Sequence, residues 1–287
     1  MHTFKLSTKM ITTVNYHLIK ACNFKCKFCY ATFNDISSRG ISKMKQLELI
    51  QLLAESRIFK KINFAGGEPT LVPHIFELIQ HAKILGFETS IVTNASKIDV
   101  EWVKNIAPYL DILTLSIDSI NGNTNVASGR NQNEKTISNN AIIEISNTCH
   151  LYGIKLKINT VVSQFNAKET LTSFINQINP FRWKILQATK VEGQNDTEYE
   201  NVKISSKIFS EYCSRNRKNI IDMIKIIEES AELIQGSYLM VDQLGRFFDS
   251  ENGKHKYSDK ILTSGVDYAL KQVNPNYTKF LKREGNY

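Results

Sequence analysis

Short runs in which apolar and polar residues alternate recur along the chain, and each is followed by a stretch with helical spacing. The runs are "TTVNYHLI", "KINFAGG", "TSIVTN", "ILTLSID", "KLKINTVV" and "WKILQATKV". Their β-branched residues and short length predict strands. The intervening stretches, residues 42–57, 74–85, 99–106, 134–150, 168–177 and 205–215, predict helices, with Ser42, His74 and Asp99 near their starts. Six strand–helix units in succession imply parallel strands joined by right-handed crossovers. An open sheet and a barrel both satisfy this pattern. In either, functional residues belong at the carboxyl ends of the strands.

The loop after the first strand, "KACNFKCKFCYATF", residues 20–33, holds Cys22, Cys26 and Cys29. A structural zinc or a fully protein-ligated iron–sulfur cluster takes four protein ligands, and no fourth cysteine is near. Cys149 and Cys213 stand alone far along the chain and read as small buried hydrophobes. Five cysteines is an odd number and no signal peptide precedes them, so the thiols are expected reduced. Three thiolates can hold three irons of a four-iron cluster and leave the fourth iron open. This spacing resembles the radical S-adenosylmethionine (SAM) superfamily. The resemblance implies a 4Fe-4S cluster whose open iron takes the amino and carboxylate groups of SAM, and whose electron releases methionine and a 5'-deoxyadenosyl radical. It also decides between the two architectures, in favour of an α/β partial (βα)6 TIM-like barrel with a C-terminal extension.

Other strand ends fit the same picture. "GGEP", residues 66–69, follows the second strand. Its glycines allow close backbone approach to a ligand, and Pro69 stiffens the turn. By resemblance, Gly66, Gly67 and Glu68 belong to the motif that receives the methionyl amine of SAM. Asn94 in "TNAS" and Ser116 in "SIDS" end the third and fourth strands, and Arg130 in "SGRNQN" follows in the next loop, where it is expected to pair with the SAM carboxylate. Taken singly, each is more often a turn former or a surface charge. Their shared position at strand ends makes them cofactor-binding candidates.

The later strands carry cations. In "KLKINTVV" Lys155, Lys157 and Asn159 share one face, and in "PFRWKILQ" Arg182 and Lys184 alternate around Trp183. A polar face inside a barrel is costly without a ligand. Cations from adjacent strands suit a polyanion such as a triphosphate, and the bland alternative is a solvent-facing pair of open-sheet strands. Together "VNYHLIKACNFKCKFCY", "KINFAGGEP", "YLDILTLSIDS", "KINTVVSQFN", "INPFRWKILQ" and "SYLMVDQLGRFF" resemble viperins, from about Val14 onward. The resemblance implies a ribonucleoside triphosphate substrate (CTP, UTP or GTP). It implies a 3'-deoxy-3',4'-didehydro product that terminates viral or phage polymerisation. It places Asn15, Lys157, Asn159, Arg182 and Lys184 at nucleotide contacts and Tyr238 as the active-site donor. Animal viperins carry an N-terminal amphipathic membrane helix and a longer tail ending in tryptophan, features this sequence does not display. It resembles the prokaryotic members.

Composition narrows the classes. With 287 residues, 42% hydrophobic and 22% charged, the chain has an ordinary globular make-up. The expected organisation is a short segment 1–13, a barrel 14–191 and an extension 192–287 closing over the site. No apolar run approaches the roughly 18 residues of a membrane span, so a cytoplasmic protein without membrane association is expected. A net charge of +8 suits an anionic partner, but no basic block marks a nucleic-acid tail. The expected partners are therefore a nucleotide and an electron donor such as flavodoxin or ferredoxin, with a monomeric enzyme. Two alternatives stand: a radical SAM enzyme that modifies RNA or a peptide, and a non-enzymatic zinc or nucleic-acid module.

Overall fold

The protein is described here by a computed structural model covering residues 11–38, 40–285 and 287. Its centre is a run of parallel strands: β1 (Thr13–His17), β2 (Lys61–Ala65), β3 (Glu88–Thr93), β4 (Ile112–Ser116), β5 (Lys155–Val162) and β6 (Arg182–Gln187). These are the six predicted strands, paired in chain order. Crossover helices α1 (Lys43–Glu55), α2 (Ile75–Ile84), α3 (Val100–Ile106), α4 (Gly122–Ala127), α5 (Asn139–Leu151) and α6 (Thr172–Ile178) separate them. Two further helices, α7 (Asp196–Val202) and α8 (Ser206–Arg217), lead to β7 (Lys225–Glu229), which pairs in parallel with β6.

The remaining strands, β8 (Met240–Val241), β9 (Arg246–Asp249) and β10 (Lys256–Lys260), extend the other edge. β8 lies parallel to β1, and β9 and β10 follow antiparallel. The ten-stranded sheet is open, with β10 and β7 at its ends. Residues beyond 191 thus build both flanks of the sheet, and the hairpin around "DQLG" joins its β1 edge.

Side-chain alternation sorts the sheet into two faces. Val14, Tyr16, Ile62, Phe64, Leu113, Leu156, Ile158, Trp183 and Ile185 are buried on one face. They form a single core with helix residues such as Leu49, Ile50, Leu78, Ile79, Val103, Ile106 and Ile145. The opposite face carries Thr13, Asn15, Lys61, Asn63, Ser90, Ser116, Lys157, Asn159 and Lys184, which line a common cavity.

Helix starts follow local chemistry. Asp99 caps α3 by accepting from the Trp102 amide at 2.8 Å, whereas Ser42 and His74 precede α1 and α2 without a side-chain cap bond. The helix predicted from residue 134 begins instead at Asn139. Ser138 caps it through the Ala141 amide, and Asn133 and Glu134 hold positive φ of 51° and 63° in the preceding turn, which no helix accommodates.

Candidate active site

The cysteine loop leaves β1 and is gripped by the backbones of two other segments. From the loop after β2, the Gly67 amide donates to Ile19 and the Glu68 amide to Ala21, the latter at 2.9 Å. From the turn that ends α4, in the β4–β5 crossover, Gly129 accepts from the Lys25 amide at 3.1 Å and Ser128 accepts from Lys27 at 3.0 Å. These approaches exclude a side chain. A Cβ at Gly67 would stand 2.2 Å from the Ala21 oxygen, and one at Gly129, where φ is +79°, 2.0 Å from the Lys25 oxygen. The "GGEP" glycines thus admit the backbone that enters the cysteine loop, and Gly66 and Gly67 also line the cavity beside it.

Glu68 acts inward. Fully buried, it accepts from the Thr70 amide and hydroxyl, the Thr93 hydroxyl at 2.7 Å and the Asn94 amide at 2.8 Å. It thereby ties the end of β3 to the glycine loop. Asn94 in turn donates to Asn23 at 3.0 Å, inside the cysteine loop. Asp118 accepts from the Val161 amide at 2.7 Å and from Arg130 Nε at 2.6 Å, with a second contact to the same guanidinium. Arg130 also lies over the Phe28 ring, 5.4 Å from its centre.

Cys22, Cys26 and Cys29, with Gly66, Gly67, Glu68, Asn94, Ser116 and Arg130, line one cavity of about 230 Å³. Burial pushes all three thiols above their ordinary range, Cys26 to about 12, while Arg130 pulls each of them down. Among the described residues no three His, Cys, Asp or Glu side chains are set to hold a single ion. Thiols that each ligate a different iron do not need such an arrangement. Three part-buried thiols on one loop beside a guanidinium suit an anionic thiolate cluster with one open iron. Cys149 and Cys213 are buried in the core away from this cavity.

The same cavity continues to the cationic strands. Lining it are Asn15, Lys157, Asn159, Lys184 and Tyr238 of the predicted substrate and donor residues. Arg182 is fully buried but is not in the lining. Its guanidinium lies 3.9 Å from the centre of the Tyr287 ring and donates to Glu284 at 3.3 Å. The lining also includes residues that were not anticipated, among them Lys61 on β2, Arg283 near residue 287, and Tyr287 itself. The Tyr287 phenol accepts from Lys157 and its backbone oxygen from Lys61. Glu229, also unanticipated and fully buried, accepts from the Tyr238 hydroxyl at 2.6 Å and pairs with Lys184. Asn63 Nδ2 donates to Asn15 at 2.9 Å. The Asn63 and Asn159 carbonyl oxygens are buried at this lining without partners among the described residues, as expected of acceptors awaiting a polar ligand.

Burial depresses Lys157 to about 7 and Lys184 to about 8, in both cases against the pull of Glu229. Lys157 has no carboxylate within ion-pair distance among the described residues, whereas Lys61 faces Glu88 at 2.9 Å.

The family model for the radical SAM superfamily matches residues 16–176, the stretch that carries the cysteine loop and the clamps on it. The chain belongs to the radical SAM superfamily. Within it, the chain is 43% identical to an S-adenosylmethionine-dependent nucleotide dehydratase of Flammeovirga pacifica, covering 100% of this chain and 99% of that one. A second relative, S-adenosylmethionine-dependent nucleotide dehydratase RSAD2 of Siniperca chuatsi, is 36% identical over 96% of this chain and 78% of its own. These matches place the chain in the nucleotide dehydratase (viperin) family. Among solved structures, native anSMEcpe with bound AdoMet superposes with a TM-score of 0.69 at 14% identity, covering 94% of this chain and 82% of that one. SuiB of Streptococcus suis bound to S-adenosylmethionine gives 0.61 at 17% identity, covering 83% and 60%. At such identities they show the fold that this radical SAM chain shares with them.

The glycine clamp yields a direct test. Gly129→Ala is expected to cost about 1–3 kcal/mol from backbone strain alone, to which the clash with Lys25 adds. It should also lower the brown absorbance per mole of protein after anaerobic iron–sulfide loading. Gly153→Ala is the control, because φ is +72° there with nothing within 4 Å of the added carbon. Equal behaviour of the two variants in thermal melts and in absorbance would show that the clamp does not shape the cysteine loop.

Proposed function

We propose that this protein is a radical SAM nucleotide dehydratase that converts a ribonucleoside triphosphate (CTP, UTP or GTP) to its 3'-deoxy-3',4'-didehydro analogue. Such a product terminates chain growth and so serves antiviral, phage-directed defence. The observation that carries the reading is that the three-cysteine loop and the Lys157–Lys184 strand pair open into one cavity. The relatives' shared name supports the reaction class.

Cys22, Cys26 and Cys29 would hold a 4Fe-4S cluster, with Gly66, Gly67, Glu68, Asn94, Ser116 and Arg130 around SAM. When bound, the cluster and SAM supply the electron and the 5'-deoxyadenosyl group that takes hydrogen from ribose C4'. The protein's part is placement. Lys157 and Lys184 anchor the triphosphate by charge-assisted contacts, with Arg182 adding its charge from behind the Tyr287 ring, and Asn15 and Asn159 offer amide groups along the same face. Fixing the phosphates fixes the sugar, and selectivity for one C–H bond depends on that positioning. Loss of the 3'-hydroxyl as water then requires one proton and one electron. The Tyr238 phenol is the candidate donor of both as a hydrogen atom, after which an electron donor must restore it.

Residues 14–191 serve as the barrel and 192–287 as the extension that supplies Tyr238. A small reduced carrier of the flavodoxin or ferredoxin type fits the electron demand. All five cysteines are free among the described residues, consistent with work in the reducing cytoplasm. No helix among the described residues is long and apolar enough to cross a membrane. We take the working unit to be a monomer that binds no nucleic acid. Modification of RNA or a peptide is disfavoured because neither needs buried cations on adjacent strands.

Three outcomes test this reading. After anaerobic reconstitution with SAM and reductant, at least one of CTP, UTP and GTP should yield the didehydro nucleotide. Replacing Cys22, Cys26 or Cys29 by Ala should abolish both the chromophore and SAM cleavage, while Cys149 and Cys213 variants change neither. 5'-Deoxyadenosine from a Cys26→Ala protein, or its release only with a peptide or RNA, would contradict the assignment.

The depressed lysines set a pH dependence for nucleotide binding. Lys157 and Lys184 lose their protons as pH rises through about 7 and 8, and a polyanion favours the protonated forms. Affinity should therefore be greatest below pH 7 and weaken above it, by up to about tenfold per pH unit for each lysine that must regain a proton. At pH 8 calorimetry in buffers of different ionisation heat should register proton uptake. Affinity that is flat between pH 6.5 and 9 would remove these lysines from the binding site.

Tyr238→Phe keeps the ring and removes the hydroxyl. The variant should still form 5'-deoxyadenosine with substrate present, while didehydro nucleotide falls by at least about tenfold, below the usual hundredfold of acid–base assistance. Product at the parent rate would make Tyr238 a packing residue.

A further inference from the structure

Glu229, the last residue of β7, belongs to none of the sequence motifs that mark the site. It is fully buried and stands among cations. Its Oε2 accepts from the Tyr238 hydroxyl at 2.6 Å and its Oε1 pairs with Lys184, with Arg283 4.0 Å away. Lys184 also donates to the same Tyr238 oxygen at 2.8 Å, and the Arg283 guanidinium lies 3.6 Å from the centre of the Tyr238 ring.

The carboxylate favours the protonated forms of Lys157 and Lys184, but once they are charged its own charge opposes that of a triphosphate brought to them. A buried ion pair is also weak evidence of stabilisation, since desolvation of both partners offsets their attraction. What the carboxylate does accomplish is geometric. The phenol of Tyr238 has one proton and one accepting side in this site. Glu229 receives the proton and Lys184 fills the accepting side, so the oxygen is fixed between them and the ring is held by Arg283. Without Glu229, the phenol hydrogen has no defined acceptor among the described residues, although the ring keeps its apolar packing and its cationic neighbours.

We propose that Glu229 is a positioning residue for the dehydration: it orients the Tyr238 hydroxyl between Lys184 and β7, at the expense of triphosphate affinity. The proposal rests on the reading of Tyr238 as the donor. It separates two quantities that a general structural role would lower together, nucleotide affinity and the yield of product per SAM cleaved.

The test uses E229Q, E229D, Y238F and the double variant Y238F/E229Q, in the full chain. Affinity for CTP, UTP and GTP is measured without reductant, and the ratio of didehydro nucleotide to 5'-deoxyadenosine after anaerobic reconstitution. Measured at a pH low enough to keep Lys157 and Lys184 protonated in every variant, E229Q should bind the preferred triphosphate at least as tightly as the parent, while the product ratio falls about tenfold. E229D keeps the charge beside Lys184 but withdraws it by one methylene from the phenol, so affinity should match the parent and the ratio should still fall. The double variant should be no less coupled than Y238F, since two residues acting through one group are not additive. Where E229Q leaves Lys184 unpaired and does not fold, E229D decides. A parent ratio in E229D, a ratio in E229Q that falls only with weakened nucleotide binding, or additive losses in the double variant would overturn the role of Glu229. If Y238F is itself fully coupled, the donor reading fails and this proposal fails with it. An uncoupled Y238F beside fully coupled Glu229 variants removes Glu229 alone.

Discussion

Everything at this site depends on how closely two loops press against the backbone of the cysteine loop. A stretch carrying three thiols has no regular structure to fix it, since its polar backbone groups must find partners outside a strand or helix. Here they find them at Ile19, Ala21, Lys25 and Lys27, paired to the loop that follows β2 and the turn that ends α4. Gly67 and Gly129 make the approach sterically possible. Glu68 and Asn94 then fasten the end of β3 to the same assembly. The thiols are positioned by two strand ends and a helix end at once, and the surrounding sheet turns local flexibility into a defined mouth.

The second organising feature is the deliberate burial of charge. A cationic cluster on β2, β5 and β6 has a folding cost, because burial disfavours each charged form. The structure offsets it in different ways. Lys61 has Glu88, Lys184 has Glu229, Arg182 has Glu284 and the Tyr287 ring, and Lys157, with no ion pair among the described residues, has a phenol, an aromatic face and the more distant field of Glu229. Contacts of this last kind contribute less than a charge-assisted bond to phosphate. The least compensated cation is therefore the one with most to gain from a polyanion, which makes substrate binding and relief of buried charge a single event.

Much of this was legible in the chain itself. Alternation on β5 and β6 identified Lys157, Asn159 and Lys184, and the same alternation on β1 and β2 holds the signal for Lys61 and Asn63. It gives the face of a strand but not the depth, and so Arg182 sits beneath Tyr287 and outside the lining. The "GGEP" motif was visible, yet its steric reason was not, because the partner of Gly67 lies some 46 residues earlier at Ala21. Glu229 and Arg283 carry no local pattern. They reach Tyr238 only because β7 pairs with β6 and the helix Tyr277–Lys282 packs back near Ser237, where Arg283 donates at 3.1 Å.

The central claim is that anchored phosphates aim one ribose hydrogen at the SAM-derived carbon. It is tested most directly with the preferred triphosphate carrying deuterium only at C4', incubated anaerobically with the reconstituted enzyme. The account predicts one deuterium in each 5'-deoxyadenosine and none at C4' of the product. Unlabelled 5'-deoxyadenosine formed with that substrate, or label transferred instead from a substrate deuterated at a different ribose position, would contradict it.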